Sequence, residues 1–196
     1  MIDPPAPRNP NKKYPKFETF GQYLHWAYAN LQMMEYALSA GKAKFDRSCF
    51  AVRAKAFKAY EEGRWQIHDL LKNNIVKIQN HDVCWYCGKK VEDSKELTID
   101  HIIPRSRGGG NSMDNIFMVC KACNSSKRDM DVIEWFFTKR EQFPPLEVIA
   151  HYLKQINIYA IDNYLMDKSL EDIRQMELPF NPEFIPIEYP HPDNLV

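Results

Sequence analysis

The sequence lacks any apolar run that approaches the roughly 20 residues needed to span a lipid bilayer. Its first residues, MIDPPAPRNP, contain no apolar stretch of the kind that marks a secretory signal peptide. Neither sign of charge prevails, because 26 Lys and Arg balance 26 Asp and Glu. We therefore expect a cytoplasmic protein with no membrane partner.

The balanced total hides an uneven distribution of charge along the chain. Residues 1–82 carry 13 Lys and Arg against 8 Asp and Glu, whereas residues 131–196 carry 5 against 12. Nucleic-acid binding follows local fields and not total charge, so a neutral chain is compatible with it. The basic half could face DNA, although ordinary surface charge explains the asymmetry equally well.

Cysteine is also scarce, and four of the five cysteines form two C-x-x-C pairs: Cys84 with Cys87, and Cys120 with Cys123. In a reducing compartment this spacing indicates metal binding and not disulfides. Four thiolates give Zn²⁺ a closed tetrahedral shell without an open position, so this zinc should be structural. The fifth, Cys49, lies in a helical pattern and is expected to be a small buried residue.

Hydrophobic periodicity predicts a mainly helical α+β protein. Helices are expected at about 17–38, 46–62, 65–79, 122–140 and 146–166, and short β-branched strands at 97–103 and 116–119. The predicted regions are an extended Pro-rich arm (1–16), an N-terminal helical region (17–81), a cysteine-bearing core (82–140), a C-terminal helical region (141–178) and an extended Pro-rich tail (179–196).

A distinctive motif lies between the cysteine pairs. Residues 100–115 read DHIIPRSRGGGNSMDN, and the second pair continues as CKACNSSK over 120–127. Over about residues 83–129 the chain resembles the HNH endonuclease family in its zinc-bearing form. The resemblance implies a ββα-metal fold, in which two antiparallel strands and a helix surround a divalent cation. The predicted architecture is thus a mainly helical protein with an embedded HNH core braced by a four-cysteine zinc site.

The resemblance also implies roles for individual residues. His101 stands at the position of the general base, and Asn115 at the middle asparagine that pins the loop between the strands. Asn124 stands at the third position of the motif, as Asn instead of His. Asp100 and Asn124 would together hold one Mg²⁺ or Mn²⁺ ion.

These residue types suit phosphodiester hydrolysis on chemical grounds alone. Carboxylate and amide oxygens are hard ligands for Mg²⁺ or Mn²⁺, and few protein ligands leave positions for phosphate and water. A neutral histidine can accept a proton from water near neutral pH. Asp100 and His101 should point to opposite faces of a strand. Either a distortion at the strand end brings them together, or Asp100 reaches the ion from the side.

The predicted activity is metal-dependent hydrolysis of DNA, with double-stranded DNA as the expected substrate. Two alternatives stay open, namely a non-catalytic zinc-containing module that binds nucleic acid, and an enzyme that cleaves RNA. Cutting both strands would suit a homodimer, but the sequence leaves the oligomeric state undetermined. Four basic residues are candidates for phosphate contact, with solvated surface charge as the alternative: Arg105, Arg107, Lys127 and Arg128.

Overall fold

The structure, a computed structural model, describes residues 15–67 and 82–195 and begins with a long helix, α1 (Phe20–Ser39). Thr19 caps this helix by accepting a hydrogen bond from the backbone N–H of Gln22, as expected for a hydroxyl at an N-cap. The chain leaves the helix at Gly41, where φ is +62°. The apolar residues spaced three or four apart on α1 are buried, which confirms the predicted inner face: Phe20, Leu24, Tyr28, Leu31 and Met34.

A second helix, α2 (Arg47–Glu61), packs against α1. Asp46 is its N-cap and accepts hydrogen bonds from the backbone N–H groups of Ser48 and Cys49, as an aspartate at this position commonly does. Cys49 is fully buried, in agreement with its expected packing role. The helix predicted over 65–79 lies almost entirely outside the described residues, as does the arm up to residue 14.

Two strands, β1 (Leu97–His101) and β2 (Ile116–Cys120), form an antiparallel hairpin. Strand β1 ends two residues earlier than predicted because the backbone N–H groups of Ile102 and Ile103 turn away to the backbone and side chain of Asn115. Side chains alternate between the two faces of a strand, and Asp100 and its cross-strand partner Phe117 both lie on the buried face of the hairpin.

The single helix predicted over 122–140 is two helices in the structure. Helix α3 (Lys121–Lys127) ends at Arg128, whose φ is +54°, and α4 (Val132–Trp135) continues as a π-helical turn, Phe136–Arg140. Asp131 starts α4 by accepting hydrogen bonds from two backbone N–H groups of its first turn. The prediction of one helix was wrong because the apolar periodicity continues across Arg128, although the positive φ of this residue interrupts the helix.

Helix α5 (Leu146–Asp162) contacts α1 and the turn before β2, so it joins the N-terminal helices to the hairpin. A short helix, α6 (Leu170–Gln175), precedes the proline-rich tail. The tail is not merely a surface segment, because Phe180, Ile185 and Ile187 are buried in the main core.

The described architecture is mainly helical, with a ββα unit beside a four-cysteine cluster, as the α+β prediction requires. No helix within residues 15–67 and 82–195 is both long and apolar enough to cross a bilayer. The boundaries of the predicted regions remain predictions.

Candidate active site

The four predicted zinc ligands converge beside the hairpin. Their Sγ atoms all lie within 4.8 Å of one another, and those of Cys87 and Cys120 are 3.9 Å apart. A tetrahedron with Zn–S bonds of about 2.3 Å has S–S edges of about 3.8 Å. The quartet of Cys84, Cys87, Cys120 and Cys123 therefore fits a four-coordinate zinc ion with little rearrangement.

Local structure brings these thiols together from two places in the chain. The first pair lies in a tight turn that closes at Gly88, where φ is +70°, and Trp85 donates its backbone N–H to Met118 of β2. The second pair begins at the last residue of β2 and continues into the first turn of α3. The cysteine cluster thus connects the turn that carries Cys84 and Cys87 to the hairpin and to α3.

The thiols have contrasting acidities. Burial raises the pKa of Cys84 and of Cys123. Burial also acts to raise the pKa of Cys120, but hydrogen bonds from the Cys123 backbone and from neighbouring thiols outweigh it and lower the pKa to about 7. A bound divalent cation would favour ionisation of all four sulfurs, because only thiolates ligate zinc.

Asp100 lies on the inner face of β1 and is almost fully buried. Tyr86 donates its hydroxyl to Asp100 Oδ2 at 2.7 Å, and Lys127 Nζ lies 3.1 Å from Oδ2 and 3.3 Å from Oδ1. Burial, reinforced by the Asp100 charge, raises the pKa of Tyr86 well above its usual value. Asp100 is therefore an ion-paired carboxylate held from two sides.

His101 points to the opposite face of β1 and is partly exposed. Its Nε2 lies 2.9 Å from Asn111 Oδ1, in the loop that follows β1. With Asn111 Oδ1 as the acceptor, this contact suits the tautomer that carries the imidazole proton on Nε2. The Nδ1 atom has no hydrogen-bond partner among residues 15–67 and 82–195.

Asn124 lies on α3 against β1. Its Nδ2 donates to Thr98 Oγ1 at 3.0 Å and to the Ile99 carbonyl at 3.3 Å. Its Oδ1 accepts no hydrogen bond from the described part of the chain. Asn124 and Asp100 both lie where α3 meets β1, and carboxylate and amide oxygens are donor types that a hard divalent cation takes.

Asn115 is fully buried and ties the loop between the strands to itself. Its Oδ1 accepts from the Ile103 N–H at 2.8 Å, and its Nδ2 donates to the carbonyls of Ile103 at 3.1 Å and Gly110 at 2.8 Å. These are the loop-pinning contacts that the sequence predicts for this residue. They hold the loop that carries Asn111, the hydrogen-bond partner of His101.

Comparison with known proteins relates the sequence of this segment to a family. Residues 84–129 match the family model described as HNH endonuclease. This segment resembles an HNH endonuclease domain. The four-cysteine cluster within this segment is consistent with the zinc-bearing form of the family.

Two curated proteins resemble the HNH segment and its surroundings. One is YoqL, the HNH endonuclease assigned to the SPbeta prophage of Bacillus subtilis, which is 33% identical over 86 residues covering 37% of each chain. Another is the CRISPR-associated endonuclease Cas9 of Corynebacterium diphtheriae, 34% identical over 91 residues, 43% of this chain and 8% of Cas9. The match thus spans only about a third of the length of YoqL and about a twelfth of the length of Cas9. No solved structure matches it significantly.

The four candidate phosphate contacts of the HNH domain divide into two groups. Arg105 and Arg107 lie in an exposed 3-10 turn after β1, and Arg128 is exposed just after α3. Lys127 is instead wholly buried, with its ammonium also donating to the His101 carbonyl at 2.9 Å. A phosphate cannot reach Lys127 in this arrangement, so its burial argues against the predicted surface role.

Sequence reasoning missed three supporting residues of the HNH domain. Tyr86 and Asn111 contact Asp100 and His101 directly, but both lie at positions where packing or a loop is the ordinary interpretation. Lys154 of α5 is paired with Asp114 in the turn before β2 at 2.7 Å, 40 residues away in sequence. No local pattern signals a contact at such a separation.

Proposed function

We propose that the protein is a metal-dependent endonuclease that hydrolyses phosphodiester bonds in double-stranded DNA. The proposal rests on one observation above all: within the HNH segment, the partly exposed His101 follows Asp100 directly at the end of β1, and Asn124 of α3 contacts the same strand. That is the combination of base and hard ligands that hydrolysis of a phosphodiester requires.

Each residue has a distinct role in this proposal. His101 accepts a proton from the attacking water at Nδ1, and Asn111 holds the ring through Nε2. Asp100 and Asn124 would hold Mg²⁺ or Mn²⁺, which when bound stabilises negative charge on the phosphate. Asn115 keeps the connecting loop in register.

Phosphate recognition falls to the exposed arginines. Arg105, Arg107 and Arg128 can each offer a planar, multiply donating group to neighbouring phosphates. In-line attack by water on the phosphorus forms a new P–O bond and breaks the bond to the 3′-oxygen, which leaves and takes a proton from solvent, so the products are a 5′-phosphate and a 3′-hydroxyl. The zinc braces the hairpin and takes no part in the reaction, since four cysteines fill its shell.

The comparisons support a nuclease without specifying its target. Both relatives are named endonucleases, but the similarity covers only part of each. Target choice, oligomeric state and biological role therefore do not transfer to this chain. A cytoplasmic location suits the four-cysteine site, because thiols stay reduced there.

The direct test is cleavage of supercoiled plasmid by zinc-loaded protein with Mg²⁺ or Mn²⁺, compared with His101→Ala. Loss of a general base should lower the rate by about 10²-fold or more. His191→Ala, at an exposed tail position, is the matched control and should cut like the parent. End-labelling should find the phosphate at the 5′ end, and a labelled RNA duplex reports any ribonuclease activity.

A non-catalytic nucleic-acid-binding module is the second candidate function. The observation in its favour is that Lys127 and Tyr86 already satisfy most of the hydrogen-bonding capacity of Asp100. A folded parent protein that binds duplex DNA yet leaves it intact with either metal would support this alternative over the nuclease.

A further inference from the structure

Lys127 is the most unusual charged residue of the described chain. Its side chain has no exposed surface, whereas lysine is almost never fully buried unless it is paired. Its Nζ donates to Asp100, to the His101 carbonyl at 2.9 Å and to the Arg128 carbonyl at 3.4 Å. The ammonium therefore sits between the candidate metal ligand and the backbone of the candidate base.

The balance of contacts around Asp100 shows what this ammonium does. Burial lowers the pKa of Lys127, and the Asp100 carboxylate opposes this by attraction, with smaller contributions from Asp131 and Asp129. Desolvating both members of a buried pair is costly, and removing either one leaves an uncompensated charge. Asp100 and Lys127 consequently depend on each other for their buried positions.

We infer that Lys127 is a built-in cation of the active site: it holds the Asp100 carboxylate in place without metal and weakens the binding of a divalent cation there. The inference rests on the proposed cation site at Asp100 and Asn124, but not on DNA cleavage. Through its bond to the His101 carbonyl, Lys127 also acts as a positioning residue for the base.

The sign of the effect follows from simple electrostatics. A positive charge about 3 Å from a carboxylate repels any second cation that the same carboxylate binds. At separations of about 5 Å and effective dielectric constants between about 20 and 80, such repulsion corresponds to a change in affinity of about tenfold or greater. Removing the ammonium should therefore strengthen metal binding, whereas loss of an ordinary metal-site residue would weaken it.

The test measures Mn²⁺ binding to zinc-loaded protein by electron paramagnetic resonance of the free ion, in the absence of DNA. Lys127→Met should bind Mn²⁺ at least about tenfold more tightly than the parent. Its thermal midpoint should fall without Mn²⁺ and recover on adding it, because the metal replaces the missing counter-ion. Lys121→Met, an exposed position on the same helix, is the matched control and should match the parent in both measurements.

The outcomes separate this inference from the proposed function. Equal Mn²⁺ affinity of parent and Lys127→Met, or weaker binding by the variant, overturns the role of Lys127 and leaves the nuclease proposal standing. Absence of Mn²⁺ binding by both proteins overturns the cation site and this inference together. If Lys127→Met does not fold even with Mn²⁺, the Mn²⁺ affinity of Lys127→Gln is compared with that of the parent instead. Glutamine keeps a hydrogen-bond donor for the His101 carbonyl but lacks the charge, so the same increase in affinity is expected.

Discussion

Gly109 lies in the loop after β1, where the backbone comes very close to Ile103 at the start of the same loop. A Cβ atom at this position would be 1.8 Å from the Ile103 carbonyl oxygen and 2.9 Å from Asn115 Nδ2. These are backbone and pinned side-chain atoms, so the loop itself would have to move. At Gly110, by contrast, a Cβ atom would meet nothing within 4 Å.

We therefore predict opposite results for two adjacent alanine substitutions. Gly109→Ala should lower the free energy of unfolding by at least about 2 kcal/mol, because overpacking cannot relax against backbone. Gly110→Ala should change it by less than about 1 kcal/mol. Urea denaturation of both variants measures this, and equal effects would show that the Asn115 contacts do not constrain the loop.

At the same scale, some site residues are predictable from sequence and others are not. The cysteines, whose spacing encodes a tetrahedral site, converge as expected, and Asn115 makes its predicted loop contacts. The burial of Lys127 could not be foreseen, because lysine is assigned to the surface by default. Its partner, Asp100, lies 27 residues away, beyond any local pattern.

The break between α3 and α4 depends on an unfavourable backbone conformation at one residue. Arg128 has φ 54° and ψ −126°, a combination that glycine adopts readily and other residues do not. Such strain costs on the order of 1–3 kcal/mol. Its carbonyl is thereby turned toward Lys127 Nζ, so the strained turn contributes one of the contacts that enclose the ammonium.

Arg128→Gly should accordingly raise the free energy of unfolding, by about 1 kcal/mol after allowing for the greater flexibility of glycine in the unfolded chain. Asp129→Gly, at the next residue and without positive φ, should lower it instead. Thermal and urea unfolding measure both. A loss of stability in Arg128→Gly would mean that contacts of the arginine side chain outweigh the relieved strain.

Elements are predicted well where their signals are local. Capping residues and apolar spacing locate α1 and α2 to within a few residues, because both signals act within one or two turns. The interruption at Arg128 was missed because the apolar pattern carries across it. The core role of the tail was missed because prolines suggest an exposed segment, while three apolar residues between them are buried.

The whole molecule should depend on zinc for its cooperative unfolding. The cysteine quartet joins the first turn to β2 and α3, and α5 joins that unit to α1. Structural zinc sites contribute several kcal/mol or more to folding. For a protein of this size that corresponds to a fall in melting temperature of about 10 °C or more when zinc is removed.

Circular dichroism melts before and after chelation measure this fall. Stoichiometric Zn²⁺ should restore the original midpoint, while Mg²⁺ alone should not, since thiolates favour the softer ion. Restoration by Mg²⁺ alone would mean that the cysteines do not form the stabilising site.

The contacts between the tail and α1 can form only late in synthesis of the chain. Phe20 stacks on Phe180, and the Tyr23 hydroxyl contacts the Ile185 carbonyl 162 residues later. Helix α1 therefore completes these contacts only after the tail has been translated. Until then the part of α1 around Phe20 and Tyr23 lacks its contacts with the tail, although α2 and α5 can already pack against the helix. A nascent chain stalled before residue 180 should therefore expose apolar surface that chaperones bind.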